Sequence, residues 1–269
     1  MKRLLAVASI LGLACGVCAS PAQAFLLSSA YQLEETSGPV LDAVGGNDGS
    51  VIGSPTRGVP GVVGNAYRFD GSNDAINLGT ASSVKPTGPF SITMWFDADN
   101  LASLASYARL ADASGPDGSI QWGYRLQLPK QSNTEREIRG IVMAGPPKTR
   151  YDVFMDLPDP DGLHFVGLVF DPDNDQFRLR VDDTTQIKSL AAGDNNVIYN
   201  AADVFIAKAA TANRFDGLID EIGFWGEALT DGELSAIRAG GLFVPEPATL
   251  AVWSGLLALG CLAWRRTRQ

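Results

Sequence analysis

The amino-acid sequence predicts an all-β protein, an antiparallel β-sandwich bracketed by an apolar segment at each end. Three observations carry this. Apolar residues recur with a period of two in several separate runs, as strands require. Gly and Pro together make up 44 of the 269 residues, which suits many short elements joined by tight turns. Only one interior stretch carries helix start and stop signals.

The first element is an address. Residues 1–24 combine a basic start (Lys2, Arg3), an apolar run from Leu4 to Val17 and the small-residue exit Ala22-Gln23-Ala24. This is the pattern of a secretory signal peptide, and cleavage would leave Phe25 first. The apolar run is shorter than the roughly 20 residues a bilayer-spanning helix needs.

The interior, residues 25–243, reads as one domain of strands. In Phe90–Asp97 one face carries Phe90, Ile92, Met94 and Phe96 and the other Ser91, Thr93 and Trp95, a half-buried antiparallel strand. His164 to Phe170 is apolar on both faces, as a deeper strand would be. Phe177, Leu179 and Val181 alternate with Gln176, Arg178 and Arg180, and Asp171–Asp175 supplies a short hairpin connection. Thr230-Asp231-Gly232-Glu233 has the form of a capping box, followed by Leu234, Ile237 and a Gly240-Gly241 stop, which predicts one short helix.

The last element, residues 244–269, is Val244-Pro245-Glu246-Pro247, an uncharged run from Ala248 to Trp264, and Arg265-Arg266-Thr267-Arg268-Gln269. As a helix, residues 248–264 would be roughly 26 Å long, close to the thickness of a hydrocarbon core. The basic tail 265–269 stays cytoplasmic by the positive-inside rule, as do Lys2 and Arg3, which puts the interior on the far side of the inner membrane. Pro245, Glu246, Pro247, the short helix and the cluster begun by Arg265 and Arg266 together resemble the PEP-CTERM sorting signal of Gram-negative bacteria. That resemblance implies export through the Sec machinery, transient anchoring in the inner membrane, processing by an exosortase, and delivery to the cell surface, outer envelope or extracellular matrix. A permanent single-span anchor is the alternative.

The formal net charge is −9, and without the two ends 16 basic residues stand against 29 acidic ones. No basic field exists for nucleic acid, so that partner class is excluded. Cys15, Cys18 and Cys261 all lie in the ends, so the interior folds without a disulfide.

Three stretches resemble the laminin-G-like, concanavalin A-like jelly-roll family. They are Tyr31-Gln32-Leu33-Glu34 through Gly46-Asn47 to Phe69-Asp70-Gly71, then Phe90–Trp95 with His164–Val166 and Arg178–Asp182, and finally Phe215–Trp225 with Ala228-Leu229-Thr230. Residues 98–160 match least and are expected to be irregular. The resemblance implies one structural Ca2+, with Asp42, Asn47 and Asp220 as candidate ligands. Such ions take oxygen ligands from carboxylates and Gly-rich loops. The competing reading makes Asp42 and Asn47 an Asx turn and Asp220 a cap on a neighbouring loop.

Catalysis is not expected. His164 is the single histidine, sits at a strand start and has no nucleophile elbow nearby. The enzymatic alternative is a surface glycoside hydrolase, but the family's Glu-x-Asp-x-Glu run is missing, and Glu135-Arg136-Glu137 reads as a surface loop. Asp156, Asp159 and Asp161 read as turn acids. A polysaccharide-binding or structural matrix role is expected instead, with Trp122, Tyr124, Arg125 and Tyr151 as candidate sugar contacts, since exposed aromatics beside polar groups stack sugar faces. Trp95 and Trp225 read as packing residues.

Overall fold

The computed structural model describes residues 26–99, 107–115, 121–129, 137–157, 162–208 and 214–242. Both address segments, Glu135, Arg136, Asp159 and Asp161 lie outside the described residues. Among the described residues fifteen strands follow one another. The first five are β1 (Leu27–Tyr31), β2 (Ser50–Ile52), β3 (Thr56–Pro60), β4 (Asn65–Asp70) and β5 (Ala75–Gly79). Next come β6 (Phe90–Ala98), β7 (Ala108–Asp112), β8 (Tyr124–Leu128), β9 (Glu137–Ala144) and β10 (Thr149–Asp156). The last are β11 (Leu163–Asp171), β12 (Gln176–Val181), β13 (Thr184–Ser189), β14 (Val204–Ile206) and β15 (Asp216–Trp225), before the helix α1 (Asp231–Gly240).

The strands form two antiparallel sheets. The first runs β13-β12-β11-β6-β15-β4-β3, with β1 also on β15; the second runs β10-β9-β8-β7-β14-β5-β2. Between them lies the main core. Phe90, Ile92, Met94 and Phe96 of β6 and Leu168 and Phe170 of β11 meet Tyr124, Leu126, Val142 and Val153 of the second sheet. The expected strand at Phe90–Asp97, the deeper strand after His164, the strand from Gln176 and the 171–175 connection are all present, the last as a 3-10 turn over Pro172–Asn174. The described part of residues 98–160 is not irregular: it holds β7, β8, β9 and β10, and Asp156 and Glu137 are strand residues rather than turn or loop acids.

The capping box of α1 forms as read. Thr230 N donates to Glu233 Oε2 at 2.7 Å, Glu233 N donates to Thr230 Oγ1 at 3.3 Å, and the helix ends where Gly241 N reaches Ile237 O at 2.8 Å. The helix lies on the outer face of the first sheet. Leu229, Leu234, Ile237 and Leu242 join Ala30, Phe165, Val169 and Trp225 in a second, smaller core. Contact is close because Gly167 has no side chain; a Cβ there would come within 2.9 Å of Leu234 Cδ2.

This cover corrects the half-buried expectation for β6, since Ser91 and Thr93 on its second face are also buried. Arg178 and Arg180 are buried for the same reason. Arg178 Nη2 donates to Leu229 O at 2.8 Å, and Arg180 donates to Asp231 O at 2.9 Å and Ser235 Oγ at 2.7 Å, so both hold the start of the helix. His164 Nδ1 lies 2.7 Å from Asp182 Oδ2, tying the start of β11 to the end of β12. Trp225 packs as expected and donates to Thr93 Oγ1 at 3.0 Å; Trp95 packs edge-on against Phe165 with centroids 5.5 Å apart.

β15 bulges between Asp220 and Gly223, where its partner changes from β4 to β1. Glu221 takes φ +49° there and accepts a hydrogen bond from Leu242 N at 2.6 Å, holding the chain just beyond α1.

Candidate functional site

Among the described residues no helix lies over the outer face of the second sheet. Along β7–β10 the core-facing positions are Leu110, Tyr124, Leu126, Leu128, Ile138, Val142, Tyr151, Val153 and Met155. Alternation, with a register shift between Arg109 and Ala111 in β7, therefore turns Arg109, Asp112, Arg125, Gln127, Arg139, Ile141, Met143, Arg150, Asp152 and Phe154 outward. Strand register sets these in rows. Arg109 stands opposite Gln127, Gln127 opposite Arg139, and Arg139 opposite Phe154. In the neighbouring row Asp112 stands opposite Arg125, Arg125 opposite Ile141, and Ile141 opposite Asp152.

The rows are joined by charge. Arg125 Nε donates to Asp112 Oδ2 at 2.8 Å, and its Nη2 reaches Ser114 Oγ. Arg109 Nε lies 3.3 Å from the same Asp112 oxygen without an aligned hydrogen bond, while Nη1 donates to Gln127. Arg150 grips Asp152 through two bonds of 2.7 Å, and Arg139 grips Glu137 at 2.7 and 3.0 Å. Arg109, Asp112 and Arg125 are each only 2% exposed. Burial, then the neighbouring Arg125 charge, push the Arg109 guanidinium down to about 10, against the pull of Asp112.

Aromatic rings edge this face, each with a cation over it. Arg109 lies 5.3 Å from the Tyr107 ring, Arg139 5.5 Å from Phe154, Lys148 3.5 Å from Trp122 and Lys208 4.7 Å from Phe205. Phe154 is 56% and Tyr107 43% exposed, high for such large rings. At the open side of the sandwich the edge strands β10 and β13 flank a groove of about 590 Å³. Its walls include Asp152, Phe154, Asp156, Gln186, Ile187 and Lys188.

The four expected sugar contacts do not form one surface. Tyr124 is a core residue whose hydroxyl donates to Val84 O at 2.8 Å. Tyr151 also faces the core, where its hydroxyl donates to Asp194 and accepts from Ala191 N at 2.9 Å. Arg125 lies on the outer face but is buried in the Asp112 pair, and Trp122 is half-buried under Lys148. Trp122 and Tyr124 would share a face in a regular strand. Gly123 between them takes φ +60°, where a Cβ would strike the Ala113 carbonyl, and the regular alternation is broken.

The three residues assigned to calcium hold backbone. Asp42 Oδ1 accepts from the amides of Ala30, Val44 and Gly45 at 2.9–3.1 Å, and Oδ2 from Asn47 N at 3.1 Å. Burial alone would raise the Asp42 carboxyl, but the backbone donors outweigh it and hold it below its ordinary value. The Asn47 amide donates to Tyr31 Oη and Leu78 O, both at 3.0 Å. Asp220 Oδ2 accepts from Val62 N at 2.7 Å and Oδ1 from Glu221 N at 2.8 Å. Among the described residues no group of three or more His, Cys, Asp or Glu side chains is placed to hold a metal ion.

Residues that sequence reasoning missed are Tyr107, Arg109, Asp112, Gln127, Arg139, Arg150, Asp152 and Phe154. Their signal was present as period-two alternation in Arg150-Tyr151-Asp152-Val153-Phe154-Met155-Asp156.

Residues 70–235 match the family described as the concanavalin A-like lectin/glucanases superfamily, Laminin_G_3. The chain belongs to this family. Among solved structures it is similar to the receptor-binding domain of botulinum neurotoxin C/D mosaic serotype, with a TM-score of 0.59 and 12% identity over 80% of this chain and 51% of that one. The same values hold for the botulinum neurotoxin serotype D ligand-binding domain in complex with N-acetylneuraminic acid. The binding domain of botulinum neurotoxin DC in complex with rat synaptotagmin II gives 0.59 at 10% identity, covering 80% of this chain and 51% of that one. The chain thus spans about half of each, and the likeness is one of fold. No curated protein matches the chain.

Proposed function

We propose that the protein is an exported, non-catalytic glycan-binding module, sorted by its C-terminal tail to the cell surface or extracellular polysaccharide matrix of a Gram-negative bacterium. The observation that supports binding is the groove between β10 and β13. There Phe154 offers an exposed ring face among the carboxylates of Asp152 and Asp156, the Gln186 amide and the Lys188 ammonium. A ring to stack a sugar and short-range polar groups to orient its hydroxyls are the chemistry of carbohydrate recognition. A structural neighbour solved with N-acetylneuraminic acid agrees with this use of the fold.

Hydrolysis is the second reading, because the superfamily name covers glucanases. It is less well supported. Of the groove acids Asp152 and Asp156, Asp152 is gripped by Arg150 through two bonds of 2.7 Å, which commits its carboxylate to an ion pair.

The test is retention of purified protein on a panel of bacterial and plant polysaccharides, with calcium and then with chelator. Retention on at least one glycan, lost in Phe154→Ala without reducing-sugar release, is the expected result. Release of reducing sugar would instead establish the hydrolase. Calcium on Asp42, Asn47 and Asp220 would appear as a calcium-dependent melting temperature that Asp220→Ala abolishes. Sorting is tested with a tail-tagged chain, which should keep its full length in a host lacking exosortase and be shortened where exosortase is present.

A further inference from the structure

We propose that the protein pairs with a second copy of itself through strand β10. The two strands lie antiparallel about a two-fold axis at Val153, so that Arg150 of each copy meets the partner's Asp156. The inference goes beyond the glycan-binding reading and stands without it. Among the described residues β10 lies at one end of the second sheet, and no strand pairs with its free side. The register shows which backbone groups that side presents. Met143 N donates to Gly123 O at 2.8 Å, away from β10, and Met143 stands opposite Arg150. That pair therefore exchanges no hydrogen bonds, and alternation turns the N–H and C=O of Arg150, Asp152, Phe154 and Asp156 toward the free edge.

The other sheet edges are blunted. β2 has three residues, and β3 shifts register between Arg57 and Val59 and ends on Pro60. β13 carries one charge, Lys188, with no acid on the strand to meet it from a second copy. β10 instead runs for eight residues in unbroken register with β9 and contains neither Pro nor Gly. A long, regular edge with unused donors and acceptors is a template for another strand.

Charge decides which strand fits. The edge groups match when residues 150, 152, 154 and 156 face the same set on the partner, which a two-fold axis at Asp152, Val153 or Phe154 achieves. An axis at Asp152 sets that residue against the partner's Asp152, and an axis at Phe154 sets Asp152 against the partner's Asp156; both oppose like charges. An axis at Val153 sets Arg150 against the partner's Asp156 on each side of the axis. Both side chains are exposed. Arg139 reaches Glu137 and Asp152, which leaves Asp156, opposite Glu137, as the acid for a cation from outside. Arg150 holds Asp152 through Nε and Nη2, and a guanidinium has five N–H donors, enough for a second carboxylate. Phe154 keeps its outward parity in the joined sheet, diagonal to the partner's Arg150.

The purified full-length protein is followed by sedimentation equilibrium over a range of concentrations, at low and high salt. A reversible monomer-dimer equilibrium that salt weakens is the expected result. Arg150→Asp and Asp156→Arg should each weaken the dimer at least tenfold, because each change sets two like-charge pairs across the axis. The chain carrying both changes restores opposite charges at both places and should return the dimer to within a fewfold of its native strength. Melting temperatures of the dilute single variants close to the native value show that they fold. A protein that stays monomeric at every concentration would overturn the inference. A dimer that neither single change weakens forms through another surface, and one that the double change fails to restore does not use this register; either result overturns it as well.

Discussion

The two outer faces of the sandwich both carry arginines, and they use them in opposite ways. On the first sheet Arg178 and Arg180 lie beneath α1 and spend their donors on Leu229 O, Asp231 O and Ser235 Oγ, groups that begin the helix. On the second sheet Arg109 and Arg125 crowd one carboxylate and reach side chains, Gln127 and Ser114, rather than backbone. An arginine whose donors end on backbone carbonyls holds one element of the scaffold to another; one that shares a carboxylate with its neighbour ties strands of a single sheet together.

The sharpest way to break this comparison is to damage the covered face and watch the open one. Leu234→Ala, which empties the position packed over Gly167, should destabilise the protein by about 2–4 kcal/mol while polysaccharide retention at low temperature stays intact; denaturant unfolding measures the first. A smaller effect comes from pH. Burial, opposed by backbone donors, raises Asp220 to about 6; burial and the nearby Asp220 and Glu34 charges raise Glu221 to about 7. Both carboxyls therefore hold protons in the folded state that the unfolded chain has released. The stability they contribute is complete below about pH 4 and declines as pH rises through about 6 and about 7. Melting should fall by several degrees between about pH 5 and pH 8, and Glu221→Gln, which can still accept from Leu242 N, should flatten that fall.

Thr230→Ala removes one half of the capping box and should cost about 1 kcal/mol, read by the same denaturant titration. Smallest in stability is Phe154→Ala, within about 0.5 kcal/mol because the ring is exposed, yet it should abolish retention on the glycan. If Phe154→Ala unfolds the domain instead, the open face is scaffold too, and the contrast between the sheets fails.

The same contrast explains what could be read in advance. Phe90–Asp97 and the strands after His164 and Gln176 were legible because strict alternation is what a core between two sheets demands of each inner face. The helix was legible from Thr230 and Glu233 alone, since a capping box is local chemistry. Alternation does not say what lies over the second face. Ser91, Thr93, Arg178 and Arg180 therefore read as solvent-facing although a helix more than fifty residues further on covers them. β2 and β14, of three residues each, are too short for any period to show. At the candidate site, Tyr151 drew attention as an aromatic, but its parity is that of the core; its neighbours Arg150, Asp152 and Phe154 hold the outward positions. Trp122 and Tyr124 were grouped by a parity that Gly123 interrupts.

The smaller core under α1 also decides how the domain is held. Leu27, near the first described residue, and Leu242, the last, both pack into it, and Leu26 O accepts from Gly226 N at 2.8 Å. The chain thus enters and leaves on the side of the first sheet. The Tyr107–Arg150 face lies on the far side of two sheets packed about 10 Å apart and is turned away from both described ends. A domain whose ends emerge in this way can be held at its back without losing the use of its front.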